Sequence, residues 1–154
     1  MGRIYVSEVI KAPIDAVWDL IRDFGGWPAW MPSMQGCVLE DGKRGDQVGV
    51  LRSLSMADGQ SPKSMLVGLS DLDHTIAYRV LMPDGVPLVD YVATIRLRPV
   101  TLPGWTFIEW IGEMDVVGAD RNATLDAMLQ TYYIPWVRDL KRQIEAQPKQ
   151  QSKP

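Results

Sequence analysis

The sequence predicts an α+β fold: a seven-stranded, curved antiparallel sheet around a long C-terminal helix, with two short helices after the first strand. Three observations predict it. The chain opens on alternating apolar and polar residues. Turn signals at short intervals then mark off about six further strands between Cys37 and Asp115. It closes on a wide apolar stripe at helical spacing.

From Arg3 to Ile10, the set Ile4, Val6, Glu8 and Ile10 alternates with Tyr5, Ser7 and Val9, which reads as a first strand. Pro13 opens a helix at the position where a missing N–H does no harm. Ile14, Val17, Trp18 and Ile21 follow at i, i+3, i+4 and i+7; Asp15 suits the positive end of that helix and Arg22 the negative end. Gly25-Gly26 stops it. The stretch punctuated by Pro28 and Pro32 carries Trp27, Trp30, Met31 and Met34, and reads as a short second helix or a wrapped loop.

Asp41-Gly42, Asp58-Gly59, Asp71 to His74, Pro83-Asp84-Gly85 and Pro103-Gly104 are the turn signals of an antiparallel meander. Its clearest strand sets Val89, Tyr91, Ala93, Ile95 and Leu97 on a buried face and Asp90, Val92, Thr94, Arg96 and Arg98 on a wet one. The last strand sets Thr106, Ile108, Trp110, Gly112 and Met114 against Phe107, Glu109, Ile111 and Glu113. Glu109 and Glu113 are then placed to face Arg96 and Arg98 on the outer surface, in exposed pairs worth about 0–1 kcal/mol each.

A helix from about Asp120 to Ala146 follows, its stripe running through Leu125, Met128, Leu129, Tyr132, Tyr133, Trp136, Val137, Leu140 and Ile144. Pro135 lies inside it and is expected to kink it, leaving the Thr131 carbonyl without its helical donor. Residues 1–146 are expected to form a single domain and 147–154 a flexible polar tail.

Composition narrows the function. With 154 residues and a net charge of −3, the chain has no basic excess to neutralise phosphates, so nucleic acid is not an expected partner. Cys37 is the only cysteine and His74 the only histidine, which excludes an internal disulfide and a multi-histidine or cysteine-rich metal centre. Neither metal nor cofactor is expected. A Ser-His-Asp triad would have to use His74, which falls in a turn and is expected to be exposed. No apolar run approaches the roughly 20 residues that span a bilayer. Met1 to Lys11 is short and ends in charge, unlike a signal peptide. The expectation is a soluble, cytoplasmic protein with no membrane insertion; homodimerisation is left open.

A twisted sheet wrapped around one helix cannot close everywhere. The gap would be lined by Tyr78, Tyr91, Trp110, Met128, Tyr132 and Trp136, and an apolar gap with a few polar groups is the usual form of a small-molecule site. The expected partner is a small apolar or aromatic ligand.

Several motifs carry a resemblance. They are Ala12-Pro13 followed by Val17-Trp18 and Ile21-Arg22-Asp23-Phe24, then Trp30-Met31-Pro32, Gly49-Val50-Leu51-Arg52 and Asp58-Gly59, Tyr78-Arg79-Val80, Pro87 with Tyr91, and Trp110. Over roughly residues 3 to 146 the chain resembles the START-like, helix-grip superfamily, specifically the bacterial SRPBCC proteins of the polyketide cyclase/dehydrase and lipid-transport type. That resemblance implies an apolar ligand held between sheet and helix, in a fold that serves transporters, receptors and enzymes alike. Similar proteins tend to carry Glu in the strand after Asp58-Gly59, two residues before a Leu; here that position is Ser64. If Arg52 and Ser64 are cross-strand neighbours, Arg52 lacks the carboxylate that would neutralise it, and another acid, water or an anionic ligand must compensate.

Arg52 shares a face with Val48, Val50 and Leu54. It reads either as a fork for a ligand carboxylate, phosphate or enolate oxygen, or as a strand-end arginine whose head reaches water. Tyr78, Tyr91, Tyr132 and Tyr133 can donate to a ligand carbonyl, with Tyr91 and Tyr132 the stronger candidates; the alternative is plain core. Trp110 and Trp136 read as cavity wall. Trp27 and Trp30 read as a cover at its mouth or as a fastening of the helix pair to the sheet. Cys37 reads as a small buried hydrophobe. No inward pair of carboxylates survives the alternation. The leading function is a carrier or sensor of a small hydrophobic or aromatic ligand; the alternatives are a polyketide cyclase/dehydrase-like enzyme and a ligand-gated interaction module.

Overall fold

The computed structural model describes residues 1–146; the expected tail at 147–154 lies outside the described residues. Seven strands form one antiparallel sheet: β1 (Gly2–Ile10), β2 (Met34–Leu39), β3 (Leu51–Met56), β4 (Lys63–Ser70), β5 (Thr75–Leu81), β6 (Leu88–Val100) and β7 (Trp105–Val116). Their order is β1-β7-β6-β5-β4-β3-β2, so the meander folds back until β7 pairs with β1. α1 (Ile14–Arg22) and a single 3-10 turn at Trp27–Ala29 fill the connection from β1 to β2. The predicted fold class is the one observed.

Alternation sets the inner face of β7. Thr106, Ile108, Trp110, Gly112 and Met114 are all buried against the helices. On the outer face Arg96 lies opposite Glu109, their charged atoms 4.0 Å apart, and Tyr5 donates to Glu109 at 2.6 Å. The second expected pair does not form. Glu113 lies opposite Val92, while Arg98 lies opposite Phe107 and donates to the carbonyls of Asp73 and Leu97.

The alternation predicted for β6 breaks at its start. Val89 lies opposite Asp115 and Val92 opposite Glu113, so β6 spends one extra residue there. The bulge places Asp90 at φ 55°, turns Tyr91 inward and leaves Val89 44% exposed, off the face it was expected to share. Val48 is also corrected. It is 59% exposed because β3 begins only at Leu51, whereas Val50, Arg52 and Leu54 do point inward.

α1 buries Val17, Trp18 and Ile21. The Trp18 indole N–H and the Arg22 guanidinium both donate to Asp71 at 2.8 Å, strapping the helix to the β4–β5 turn. His74, expected to be exposed, is half-buried with its ring edge-on to Trp18 at 5.6 Å.

The C-terminal helix runs as three contiguous segments: α2 (Arg121–Met128), a π turn (Leu129–Tyr133) and α3 (Ile134–Glu145). Asp120 caps it, accepting from the Ala123 N–H at 2.8 Å. The Ile134 N–H reaches back five residues to the Leu129 carbonyl. This wide turn comes just before Pro135, so the proline sits in the first turn of α3, where its missing N–H is tolerated. α3 buries Val137, Leu140 and Ile144, whereas α2 has no fully buried residue.

Candidate functional site

Between the inner face of the sheet and the N-terminal half of the helix lies a cavity of about 510 Å³. β3, β4 and β5 supply one wall through Arg52, Leu54, Ser64, Tyr78 and Val80. Trp110 of β7 and Tyr91 at the β6 bulge supply another. Met128, Tyr132 and Trp136 form the helical side. Adjacent residues of an α-helix face well apart, yet Tyr132 borders the cavity while Tyr133 is fully buried beside it; the π turn aims both toward the sheet.

Arg52 is 1% exposed. Its cross-strand partner is Ser64, as expected of neighbours, and its Nε donates to the Ser64 Oγ at 2.8 Å. Its Nη1 donates to the Phe24 carbonyl at 2.8 Å. The rings of Phe24, Trp27 and Tyr78 crowd the guanidinium at 3.7, 4.1 and 5.3 Å. A desolvated cation over an aromatic face gains about 2 kcal/mol or more. Compensation for the missing carboxylate therefore comes from two neutral acceptors, π faces and the neighbouring Cys37 thiol. The remaining cost shows in the guanidinium pKa, which burial pushes down to about 10.

The tyrosines divide in two. The Tyr78 hydroxyl accepts from the Trp110 indole N–H at 3.1 Å, and burial pushes its pKa up to about 12. Tyr91 is hydrogen-bonded to Tyr133, and burial raises both further. All three are neutral donors at physiological pH. Tyr132 instead reaches across the cavity mouth, donating to Asp58 at 2.9 Å. Trp136 donates to the Ser33 Oγ at 3.2 Å.

Of the expected site residues, Arg52, Ser64, Tyr78, Tyr91, Trp110, Met128, Tyr132 and Trp136 all border the cavity. Trp30 does not. It is 2% exposed and packs behind Trp27 and Trp110, at 5.2 and 6.2 Å between ring centres, so it fastens the helix pair while Trp27 takes the cavity wall. Its indole N–H is the one fully buried side-chain polar atom without a partner among the described residues. Cys37, half-buried, points its thiol at the Phe24 carbonyl, 3.8 Å away, and burial raises its pKa.

Tyr133, named among the candidate donors but not among the gap-lining residues, holds Tyr91, and Val80 and Met82 line the cavity without having been singled out as site residues. Stepping by two from Tyr78 along β5 and past its end would have found the last two. Nothing in the periodicity distinguishes Tyr133 from Tyr132. Among the described residues no group of His, Cys, Asp and Glu side chains could hold a metal ion, and no helix is long and apolar enough to cross a membrane.

A family model described as polyketide cyclase/dehydrase and lipid transport matches residues 1–145. The abscisic acid receptor PYL10 of Arabidopsis thaliana is 32% identical over 100 residues, a match covering 63% of this chain and 53% of the receptor, so the likeness spans about half of that protein. A solved structure of a Nitrosospira multiformis protein superposes with a TM-score of 0.80 at 28% identity, covering 99% of this chain and 100% of the other. The di-domain ARO/CYC protein BexL, of the BE-7585A biosynthetic pathway, superposes with a TM-score of 0.78 at 17% identity, over 94% of this chain and 47% of BexL, and shows the fold alone.

Proposed function

We propose, from the premise that this chain belongs to the polyketide cyclase/dehydrase and lipid transport family of SRPBCC proteins, that it binds a small hydrophobic or aromatic molecule between sheet and helix as a cytoplasmic carrier or sensor. The observation that carries this reading is the unfilled space of about 510 Å³, walled mainly by aromatic and aliphatic side chains with a few buried polar groups at one side. The curated relative whose name is that of an abscisic acid receptor adds support for a small-molecule partner. Trp27, Trp110 and Trp136 border the cavity, so occupancy should quench their fluorescence. Titration with a library of aromatic and acyl compounds, checked by native mass spectrometry, should find one-to-one binding. Absence of both quenching and mass shift across the library would refute the reading.

One observation favours a second reading, an enzyme of the cyclase/dehydrase type. Tyr78 and Tyr91 are neutral donors on the same cavity as a buried guanidinium, a set able to polarise a ligand carbonyl, and orientation in a closed site can itself lower a barrier by several kcal/mol. Such an enzyme would convert a bound polyketone, and Tyr91→Phe would slow conversion while leaving the ligand bound. A carrier would release the same compound unchanged.

A further inference from the structure

The polar groups bordering the cavity are unbalanced in one direction. An arginine carries five N–H donors, of which Ser64 and Phe24 engage two. No other oxygen or nitrogen acceptor among the described residues reaches the rest. The Ser64 and Tyr78 hydroxyls each accept a hydrogen bond and have no acceptor for their own proton. Tyr91 and Tyr133 share one hydrogen bond between two hydroxyls, so one proton is left over there as well. Carboxylates do not restore the balance. Of the acids bordering the cavity, Asp58 is exposed and engaged by Tyr132 and the Gln60 N–H, and Asp139 is held by Arg142. The buried wall offers a charge and several protons, and almost nothing to accept one.

Buried donors without acceptors are costly, and a buried cation without a counter-charge more so. A ligand that supplies acceptors there recovers that cost; an alcohol recovers less, and an amine adds to it. We infer that the ligand carries a compact, delocalised anion of the carboxylate type on an apolar or aromatic body, and that it seats this anion against Arg52, Ser64 and Tyr78. The inference deepens the ligand-binding reading above and rests on it. Ser64 is central to it. A carboxylate at that cross-strand position would neutralise Arg52 from within and remove the demand for an anionic guest.

The test uses naphthoate and the neutral naphthalenemethanol, which share a ring system and differ in the head group. Affinities for the full chain are read by tryptophan quenching and by native mass spectrometry. The expected result is naphthoate bound at least about tenfold more tightly, the ratio that one well-made charged hydrogen bond supplies. In Arg52→Met that ratio should collapse to within about twofold. Should Arg52→Met fail to fold, Ser64→Glu makes the same test from the other side: the internal carboxylate should abolish the preference for naphthoate. Equal affinities in the unaltered protein, or a preference that survives Ser64→Glu, would overturn the inference while leaving ligand binding standing. If neither probe binds, the ligand-binding reading falls and takes this inference with it.

Discussion

α3 and α2 cover the same sheet, joined end to end, and meet it in opposite ways. α3 sets Val137, Leu140 and Ile144 into a closed core. It is also tied to β1 by polar contacts: Lys141 donates to the Val9 carbonyl at 2.6 Å, and the Lys11 N–H donates to Glu145 at 2.8 Å. α2 and the π turn instead border the cavity on one side through Met128 and Tyr132, beside Trp136 at the start of α3, and Tyr132 to Asp58 joins them to the β3–β4 turn across the mouth. One end of the interface is filled and the other is held open. The filled end supplies the apolar burial that folding needs, which leaves side chains at the other end free to remain unpacked.

The largest test of this contrast is Leu140→Ala. Leu140 is fully buried, and truncation should cost about 2–5 kcal/mol in urea denaturation without altering ligand uptake. A loss below about 1 kcal/mol would mean that the filled end is not what holds the fold. Next is Gly112→Ala, at the border between the two ends. A Cβ there runs into the Tyr133 hydroxyl, so the variant should lose about 1–3 kcal/mol and release Tyr91 from its partner. Denaturation reads the first effect and the tyrosine absorbance titration the second.

Met128→Ala is the counterpart of Leu140→Ala at the open end. Because Met128 is only half-buried beside space already empty, its truncation should cost less than about 1 kcal/mol and admit bulkier ligands. A cost equal to that of Leu140→Ala would erase the distinction between the ends. The smallest effect is expected at Asp71, whose carboxyl is held below its usual range first by the hydrogen bond from Arg22 and then by that from Trp18. A depressed carboxyl pKa adds stability above its unfolded value, lost as pH falls through the acid range. Asp71 is largely exposed, so Asp71→Asn should cost only about 0.5 kcal/mol at neutral pH. The gap between the two melting curves should shrink on acidification; a gap that widens would reverse the assignment.

Most of the architecture was legible in the sequence because it depends on period. The inner face of β7 and the buried faces of α1 and α3 follow from alternation and from i, i+3, i+4 spacing, which backbone geometry enforces. The site was legible in part. Arg52 beside Ser64 followed from counting along two strands, but the guanidinium's aromatic surroundings did not, since Phe24 and Trp27 come from a connection with no period to read. Val89 and Val48 were misplaced because a bulge and a late strand start reset the count, and neither has a distinctive residue pattern. Trp30 and Trp27 are equally apolar, three residues apart, and only packing decides which reaches the cavity.

The π turn at Leu129–Tyr133 absorbs one extra residue between α2 and α3. A π turn spends one residue more than an α turn on about the same rotation. Removing one residue there, such as exposed Gln130, would therefore restore plain α geometry and leave α2 and α3 in phase. Met128, Leu140 and Ile144 would keep their facing, while two adjacent tyrosines could no longer both turn toward the sheet. The shape of the pocket ceiling and the anchoring of the helix can thus drift separately in this chain, one insertion or deletion at a time.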